Sequence, residues 1–280
     1  MRVATWNVWW RFEAWVERQP RIAATLVDLD ADVVLLQEAF TAPDDDQPAR
    51  LGAHLGLPHV AYAHRYRGRD GVAIGNALLS RWPLRDRLDV GVPGPLGRYR
   101  TLLAATVDAP DGPWSVATTH LAHRRRDAGW RRVQVAEVDD LVRAHAGDRP
   151  TILAGDLNAE PHEAEMAWLA RWGWDDLVAA AALPDDRTWR SDNPHTAASR
   201  FPDRRLDHLW GRSCAGSAVS LFGLDPVDGL HASDHAGVVA DLVVASRPAA
   251  LRAHRRHRPV VEVPAPGARP IEPARGLAAL

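Results

Sequence analysis

Cysteine, lysine and long apolar runs are what this sequence lacks. Its 280 residues contain one cysteine, Cys214, which excludes an intrachain disulfide and a cysteine-based zinc site. A single cysteine is typical of a protein from a reducing compartment. No apolar run approaches the length of a membrane span, and the first residues, MRVATWNVWWRFEAW, lack the apolar region and cleavage site of a signal peptide. We therefore expect a cytoplasmic, monomeric protein without an integral membrane segment.

Lysine is absent, so every basic residue is an arginine, and the charge is unevenly distributed along the chain. The formal net charge is −2, but residues 246–280 contain seven Arg and two Glu, which leaves residues 1–245 acidic. The same final segment is rich in Pro and Ala and shows little periodicity. We predict a domain over 1–245 and a disordered tail over 246–280, with a nucleic-acid-binding arm as the alternative role of the tail.

Apolar runs bounded by Gly, Pro or Asp predict strands along the whole of 1–245. Helical spacing occurs between some of them, at Ile22, Leu26 and Leu29 and at Val135, Val138 and Val142. Pro161 and Gly173 are placed to begin and end a third helix. The mixture predicts sheets packed together with helices outside. The predicted strands cover 2–8, 32–38, 76–80, 101–107, 114–121, 151–158, 205–211 and 237–245.

Polar side chains of catalytic type recur where these strands end. Asp156 and Asn158 in GDLNAEP are two residues apart, so they project from the same face of a strand. A turn would explain that pair alone, because Asp and Asn are common after strands. Further strand ends carry the same kind of residue, which indicates one site at one sheet edge. These residues are Asn7, Glu38, His120, Asp207, Asp234 and His235.

The residue types at these positions suit chemistry on a phosphoester. Glu38 offers hard oxygen ligands for Mg²⁺ or Mn²⁺. Asn7, Asn158 and His120 are able to donate hydrogen bonds to phosphate oxygens. The set therefore combines a metal ligand with phosphate contacts.

The remaining residues suit proton transfer. Asp156 could orient or deprotonate a water molecule. His235 could act as an acid or stabilise charge, with Asp207 fixing its tautomer. A water-activating carboxylate and a histidine–aspartate pair predict hydrolysis.

The ordered set of motifs resembles the endonuclease/exonuclease/phosphatase superfamily, which is also called DNase I-like. The resemblance extends over 1–245 and implies an α/β (α+β) fold, a four-layer αββα sandwich with the site at one edge of the paired sheets. The matching motifs are TWNV, LLQE, GNALLSRWPL, TTHL followed by RRVQ, GDLNAEP, TWRSDNP followed by RRLDHLW, and SDHAGV.

The resemblance also implies metal and phosphate contacts for individual residues. Glu38 becomes the principal metal ligand, with Asn7 beside it and Asp234 supporting the metal or the histidine. Asn158 and His120 contact the scissile phosphate.

By the same resemblance, Asp156 orients or activates the attacking water, and His235, paired with Asp207, stabilises the pentavalent transition state. Arg131 and Gln134 shape the site from the following helix, and Arg131 is expected to contact substrate.

One departure separates the chain from part of that superfamily. The abasic-site DNA repair enzymes carry an Asp two residues after the first Asn, where this chain has Trp9. His120 also stands in place of the Tyr-containing motif of those enzymes. Both differences argue against DNA repair and leave the superfamily resemblance intact.

Arginine-dense stretches and tryptophans allow two interpretations. The stretches at 64–71, 97–100 and 123–132 could clamp phosphate, or could be ordinary solvated loops. Among the twelve Trp, Trp9 and Trp10 follow Asn7 and could stack on a base, although core packing explains most of the others.

We conclude from the sequence that the protein is a divalent-metal-dependent phosphoesterase. A small-molecule or lipid-head-group phosphodiester or phosphomonoester is favoured, because residues 1–245 are acidic whereas nucleic-acid-binding proteins usually present a basic surface. The alternative is a DNA or RNA nuclease. A non-catalytic binding scaffold is the alternative of another class, and it would be expected to have lost ligands that are all present here.

Overall fold

Two six-stranded mixed sheets form the centre of the protein. The computed structural model describes residues 1–95, 99–197, 199 and 201–245, so the tail predicted over 246–280 lies outside the described residues. The strands are β1 (Arg2–Asn7), β2 (Val33–Thr41), β3 (His59–Arg67), β4 (Ala73–Ser80), β5 (Leu84–Pro93), β6 (Tyr99–Ala109), β7 (Gly112–Thr119), β8 (Thr151–Asp156), β9 (Asp175–Asp176), β10 (Asp207–Arg212), β11 (Cys214–Phe222) and β12 (Gly237–Val244). The helices are α1 (Trp15–Val27), α2 (Gln47–Leu55), α3 (Ala128–Ala146), α4 (Ala164–Arg171) and α5 (Leu177–Ala180).

The strand order brings many strand ends to a common edge. The first sheet runs β11-β12-β1-β2-β4-β3 and the second β5-β6-β7-β8-β10-β9. Each sheet has a parallel pair at its centre, β1 with β2 and β7 with β8, whose carboxyl ends therefore point the same way. The antiparallel neighbours β12 and β10 begin where β1 and β8 end, and Asp207 pairs directly with Asp156.

Strand periodicity divides the side chains between an inner and two outer cores. Ile152 and Ala154 of β8 pack between the sheets, whereas Leu153 of the same strand faces the second outer core. The outer core of the first sheet includes Ile22 and Leu26 of α1, and that of the second sheet includes residues of α3 and α4. This arrangement is a four-layer αββα sandwich of the DNase I type, which confirms the predicted fold class.

Several elements were missed by sequence reasoning. Strands β3, β5 and β11 were not predicted, and all three are edge strands. Their exposed residues interrupt the apolar pattern, as in LRDRLDVGVP of β5. Within the described part of the chain, no helix combines the length and apolar character that crossing a bilayer requires.

The third helix begins later than predicted. Pro161 lies in a turn, and α4 starts at Ala164 after Glu163 in extended conformation. The carboxylate of Glu163 accepts a hydrogen bond from the Glu160 backbone at 3.2 Å, which stabilises the turn instead of a helical start. Gly173 follows the helix with a φ of +81°, as expected for a residue that ends it.

Gly155 permits a close approach of β7 and β8 beside the predicted site. Its φ is +139°, and a Cβ atom there would lie 2.1 Å from the backbone oxygen of Thr119. Immediately beyond this point, the Leu121 backbone N–H donates to the backbone oxygen of Asp156 at 3.0 Å. Only glycine lets the two strands run together at the point where His120 and Asp156 leave them.

Replacing Gly155 should therefore strain the structure at the site. We expect Gly155→Ala to destabilise the protein by roughly 2–5 kcal/mol, because the new methyl group adds both backbone strain and a backbone clash. Gly216→Ala is the matched control, since its Cβ in β11 would meet no atom closer than 3.4 Å. Urea unfolding measures both, and equal stability of the two variants would contradict the close-approach argument.

Candidate active site

The predicted site residues converge where the two sheets share an edge. Asp156 is at the centre. One of its carboxylate oxygens accepts from the Asn7 side chain at 3.1 Å and lies 3.5 Å from His120 Nε2 and 3.9 Å from His235 Nε2. The other oxygen accepts from the Asn158 backbone at 3.0 Å. Burial raises the pKa of Asp156 to about 6, even though His235 acts to lower it.

His235 and Asp207 form a buried pair. His235 Nδ1 lies 2.7 Å from a carboxylate oxygen of Asp207. Burial alone would lower the pKa of His235, but Asp207, Asp234 and Asp156 together raise it well above its ordinary value. The ring therefore donates through Nδ1 to Asp207 and directs Nε2 towards Asp156.

A bulge in β2 aims Glu38 into the site. The pairing of β2 with β4 shifts between Leu36 and Ala39, and Glu38 adopts a φ of +55°. Such bulges redirect a side chain at a sheet edge. The Oε1 atom of Glu38 lies 3.8 Å from His120 Nδ1, whereas its Oε2 atom is buried and has no hydrogen-bond partner among the described residues.

The electrostatics around Glu38 favour a bound cation. Burial, followed by the nearby Asp234 and Asp156, raises the pKa of Glu38 to about 7. Burial likewise raises the pKa of Asp234. His120 offers no balancing charge, because burial together with Arg100, His123 and His235 lowers its pKa well below the ordinary value.

The donor set fits a divalent metal that prefers oxygen ligands. The unpartnered Glu38 oxygen is such a ligand, and the Asn7 side-chain oxygen accepts one bond from the Trp9 backbone at 2.9 Å and keeps a second lone pair. Asp156, Asp207 and His235 also bring ligand atoms within 4.8 Å of one another. Asp207 and His235 already use their facing atoms in a mutual hydrogen bond, whereas the Glu38 oxygen and the second lone pair of the Asn7 oxygen could each accept a metal.

Arg18 fixes the backbone of two loops that border the site, a role that sequence reasoning missed. Its guanidinium is buried and donates to the backbone oxygens of Val8 at 3.0 Å, Ala232 at 2.9 Å and Trp9 at 2.8 Å. These loops follow Asn7 and precede Asp234. A sequence signal existed, because Arg18 stands four residues before Ile22, on the apolar face of α1.

Thr188, in the TWRSDNP motif, joins β10, which begins with Asp207, to the segment that carries His235. Its buried hydroxyl accepts from the backbone of Leu206 at 3.0 Å and of Asp207 at 3.1 Å. Its backbone oxygen accepts from Ala236 at 2.7 Å, next to His235. Thr188 therefore sets the spacing of Asp207 and His235 without contacting either carboxylate or ring. The TWRSDNP motif marked this segment in the sequence, but nothing there indicated which polar groups Thr188 would bond.

Arg131 is directed away from the role expected for it. Its side chain is buried and donates to Glu165 and Glu163, each at 2.9 Å, and to the backbone oxygens of Ala122 and Arg124. These bonds occupy the guanidinium, so its position does not support the expected substrate contact. Gln134 bonds to the Ala122 backbone at 2.9 Å and to the Pro93 oxygen, and so shapes the His120 loop from α3 as anticipated.

Two sheets between helical layers, with a carboxylate- and histidine-lined edge, define the DNase I-like class of hydrolases. The chain belongs to the endonuclease/exonuclease/phosphatase family, whose model matches residues 4–235. The family consists of phosphoester hydrolases, so this protein is an enzyme of that class. No curated protein sequence matches the chain.

Solved structures of the same fold cover most of the chain. A Beutenbergia cavernae endonuclease/exonuclease/phosphatase is 28% identical over 89% of this chain and 72% of its own, with a TM-score of 0.74. The human Nocturnin catalytic domain with bound sulfate is 22% identical, with coverages of 88% and 94% and a TM-score of 0.71. D. rerio TDP2 complexed with single-strand DNA product is 21% identical, with coverages of 87% and 99% and a TM-score of 0.72.

Removing the Thr188 hydroxyl should loosen the histidine–aspartate pair. In Thr188→Val the side-chain shape is kept but the backbone N–H groups of Leu206 and Asp207 lose their acceptor. We expect a loss of roughly 1–3 kcal/mol in unfolding free energy and of about tenfold or more in turnover. Thr188→Ser, which keeps the hydroxyl, should retain most of both. Denaturant unfolding and steady-state rates measure the effects, and full activity of Thr188→Val would show that the spacing is set elsewhere.

Proposed function

We propose that this enzyme uses a divalent metal to hydrolyse a small-molecule or lipid-head-group phosphoester by in-line attack of water. The family is generally dependent on divalent metals. The observation that carries the proposal is the central position of Asp156, which is in contact range of Asn7, His120 and His235 at one sheet edge.

Mg²⁺ or Mn²⁺ would be held by Glu38, with Asn7 beside it and Asp234 supporting the site. The bound ion would polarise the phosphoryl group and offset its negative charge. Glu38 supports this assignment through its buried oxygen without a partner among the residues described.

Asp156 is suited to orient the attacking water and accept its proton. Its carboxylate is held on one oxygen by Asn7 and on the other by the Asn158 backbone, so it is fixed in orientation. With its pKa raised to about 6, it is a stronger base than an exposed aspartate and is still mostly ionised at neutral pH.

The phosphate would be bound by Asn158 and His120 and stabilised by His235 in the transition state. The Asn158 side chain donates to the Leu121 oxygen at 3.3 Å, and its second N–H is available to a ligand. His235 presents Nε2 to the space beside Asp156, and Asp207 favours the protonated ring through Nδ1. A protonated ring offsets the charge that develops on the pentavalent phosphorus.

The choice of a small substrate rests on charge. Residues 1–245 are acidic overall, and a polynucleotide is usually met by a basic surface. A DNA or RNA nuclease is the second candidate, favoured by the arginines near the site and by the TDP2 relative solved with single-strand DNA product. The binding scaffold considered from the sequence is not proposed, because the chain belongs to a family of phosphoester hydrolases and retains the ligands that a scaffold would be expected to have lost.

A substrate panel separates these candidates. Phosphomonoesters, small phosphodiesters, phospholipids, single-stranded DNA and RNA are each incubated with Mg²⁺, Mn²⁺ or a chelator. Metal-dependent turnover of the small esters supports the proposal. Cleavage confined to DNA or RNA would select the nuclease, and no turnover of any of these substrates would contradict both candidates.

Replacing the Glu38 carboxylate should remove metal binding. We expect Glu38→Gln to weaken Mg²⁺ or Mn²⁺ binding severely and abolish metal-dependent turnover with the fold intact, because an amide lacks the charge of the proposed ligand. Glu17→Gln, an exposed change in α1, is the control. Calorimetric titration measures the affinity, and an unchanged affinity in Glu38→Gln would remove this residue from the metal site.

Asp207 and His235 should behave as one unit. We expect Asp207→Asn and His235→Ala each to lower turnover on the order of 100-fold or more, and the double variant to lose little beyond the worse single one. His162→Ala, at a ring whose side chain is 78% exposed, is the control. The turnover rates of the wild type, the two single variants and the double variant form a double-mutant cycle. Strictly multiplicative losses would show that the two residues act independently.

A further inference from the structure

A cluster of arginine and aromatic side chains lies beside the site and takes no part in the chemistry described above. Arg204 lies over the ring of Trp189, 5.1 Å from its centroid, and over the ring of Phe201 at 5.2 Å. Arg125 lies over the same Phe201 ring at 5.6 Å. We call these four residues the Arg204 cluster. Phe201 is 46% exposed and Arg125 is exposed, so the cluster opens to solvent.

The cations of the Arg204 cluster are incompletely satisfied. The Nε atom of Arg204 is buried and has no hydrogen-bond partner among the described residues. Nor does a carboxylate of those residues lie within 4.0 Å of its guanidinium. Of the nearest acids, Glu163 is paired with Arg131 at 2.9 Å and Glu160 lies against His162 at 3.5 Å. Aromatic rings contact the face of a guanidinium and leave its N–H edges free for an anion.

The two arginines also repel one another. Burial and the neighbouring Arg125 lower the pKa of Arg204, while Glu160, Asp156 and Glu163 act in the opposite direction. Like charges held near a single ring are stabilised by an anion between them. The cluster is therefore arranged to receive negative charge from a ligand.

The backbone places the cluster next to the reacting centre. Trp189 pairs with Arg204 on one side and with His235 on the other. Arg204 stands three residues before Asp207, and Arg125 follows His120 at the start of a short 3-10 helix (Arg125–Asp127) after β7. Asp156 also acts electrostatically on Arg204, so one substrate would be able to place a group at the cluster and a phosphate at Asp156.

We propose that the Arg204 cluster is a subsite for a second phosphate of the substrate, separate from the phosphate that is hydrolysed. Two guanidinium forks match the oxygens of a phosphate, and their combined charge matches a dianion. The inference rests on the proposed function for the position of the scissile phosphate. The second phosphate has two sources, the terminal phosphate of a small bisphosphate or the next phosphate of a nucleotide chain.

A matched pair of chromogenic substrates tests the subsite. Thymidine 5′-(4-nitrophenyl phosphate) and its 3′-phosphorylated derivative share one scissile ester and differ only in the second phosphate. We expect the wild type, with Mg²⁺ or Mn²⁺, to favour the 3′-phosphorylated ester by about 10- to 100-fold in kcat/KM, mainly through KM, as for charge-assisted hydrogen bonds. A third substrate, with the 3′-phosphate esterified to another nucleoside, distinguishes the sources: retained preference indicates a nucleotide chain, and lost preference a terminal phosphate.

Variants test whether the Arg204 cluster causes the preference for the 3′-phosphorylated ester. Arg204→Gln should abolish it while leaving kcat/KM for the ester without the 3′-phosphate within about threefold, and Arg125→Gln should reduce it. Arg204→Lys should restore it only in part, because an ammonium lacks the planar fork. Arg126→Gln, the exposed neighbour of Arg125, is the control and should keep the full preference. An equal loss on both substrates in Arg204→Gln, with a lower melting temperature, would show a structural role for Arg204. The exposed Arg125→Gln then decides. If this variant loses only the preference for the 3′-phosphorylated ester, the subsite stands, and if it keeps the preference, the subsite is overturned.

The two proposals fail in different ways. Equal turnover of the paired substrates by the wild type would overturn the subsite and leave the phosphoesterase standing. If neither ester is hydrolysed, calorimetry decides: thymidine 3′,5′-bisphosphate should bind about tenfold or more tightly than thymidine 5′-monophosphate in the wild type but not in Arg204→Gln. Equal affinities would overturn the subsite in that case as well.

Discussion

Negative charge confined to one buried sheet edge is the constraint on which the rest of the structure depends. Glu38, Asp156 and Asp234 all have raised pKa values, and burial is the largest cause in each case. Water cannot solvate these carboxylates fully, so cations must balance them. His235 supplies one, held by Asp207 at 2.7 Å, and a divalent metal at Glu38 would supply another. This local excess of negative charge would thus favour a metal, and with the metal a phosphate.

Sheet topology brings these groups together without a long loop. Parallel pairing of β1 with β2 and of β7 with β8 sends Asn7, Glu38, His120 and Asp156 to the same edge. The antiparallel partners begin at that edge and add Asp207 and His235. The buried strands therefore fix the residues proposed to react, which suits chemistry that depends on orientation.

Buried residues behind the edge hold the loops that the strands do not fix. Arg18 bonds to backbone oxygens of the loop after Asn7 and to that of Ala232, and Thr188 ties Asp207 to the segment of His235. Arg131 ties the His120 loop to Glu163 and Glu165. These side chains use their polar atoms within the protein, so they position the site without being exposed to substrate.

By itself the sequence determined the class of fold, the central strands and the residues at their ends. An apolar strand that stops at a carboxylate or histidine is a local pattern, readable at His120 and Asp156 without any structure. At Glu38 the predicted strand end was wrong, because β2 continues to Thr41 and a bulge directs that side chain into the site. Edge strands such as β5 were missed because their exposed side chains alternate like those of a loop. Only the tertiary structure decided the roles of the individual arginines. With lysine absent, Arg18, Arg131 and Arg204 are the same residue type, and only their contacts in the folded protein separate them. Arg18 bonds to the backbone of two loops, Arg131 forms an ion pair with Glu165, and Arg204 is a candidate phosphate ligand.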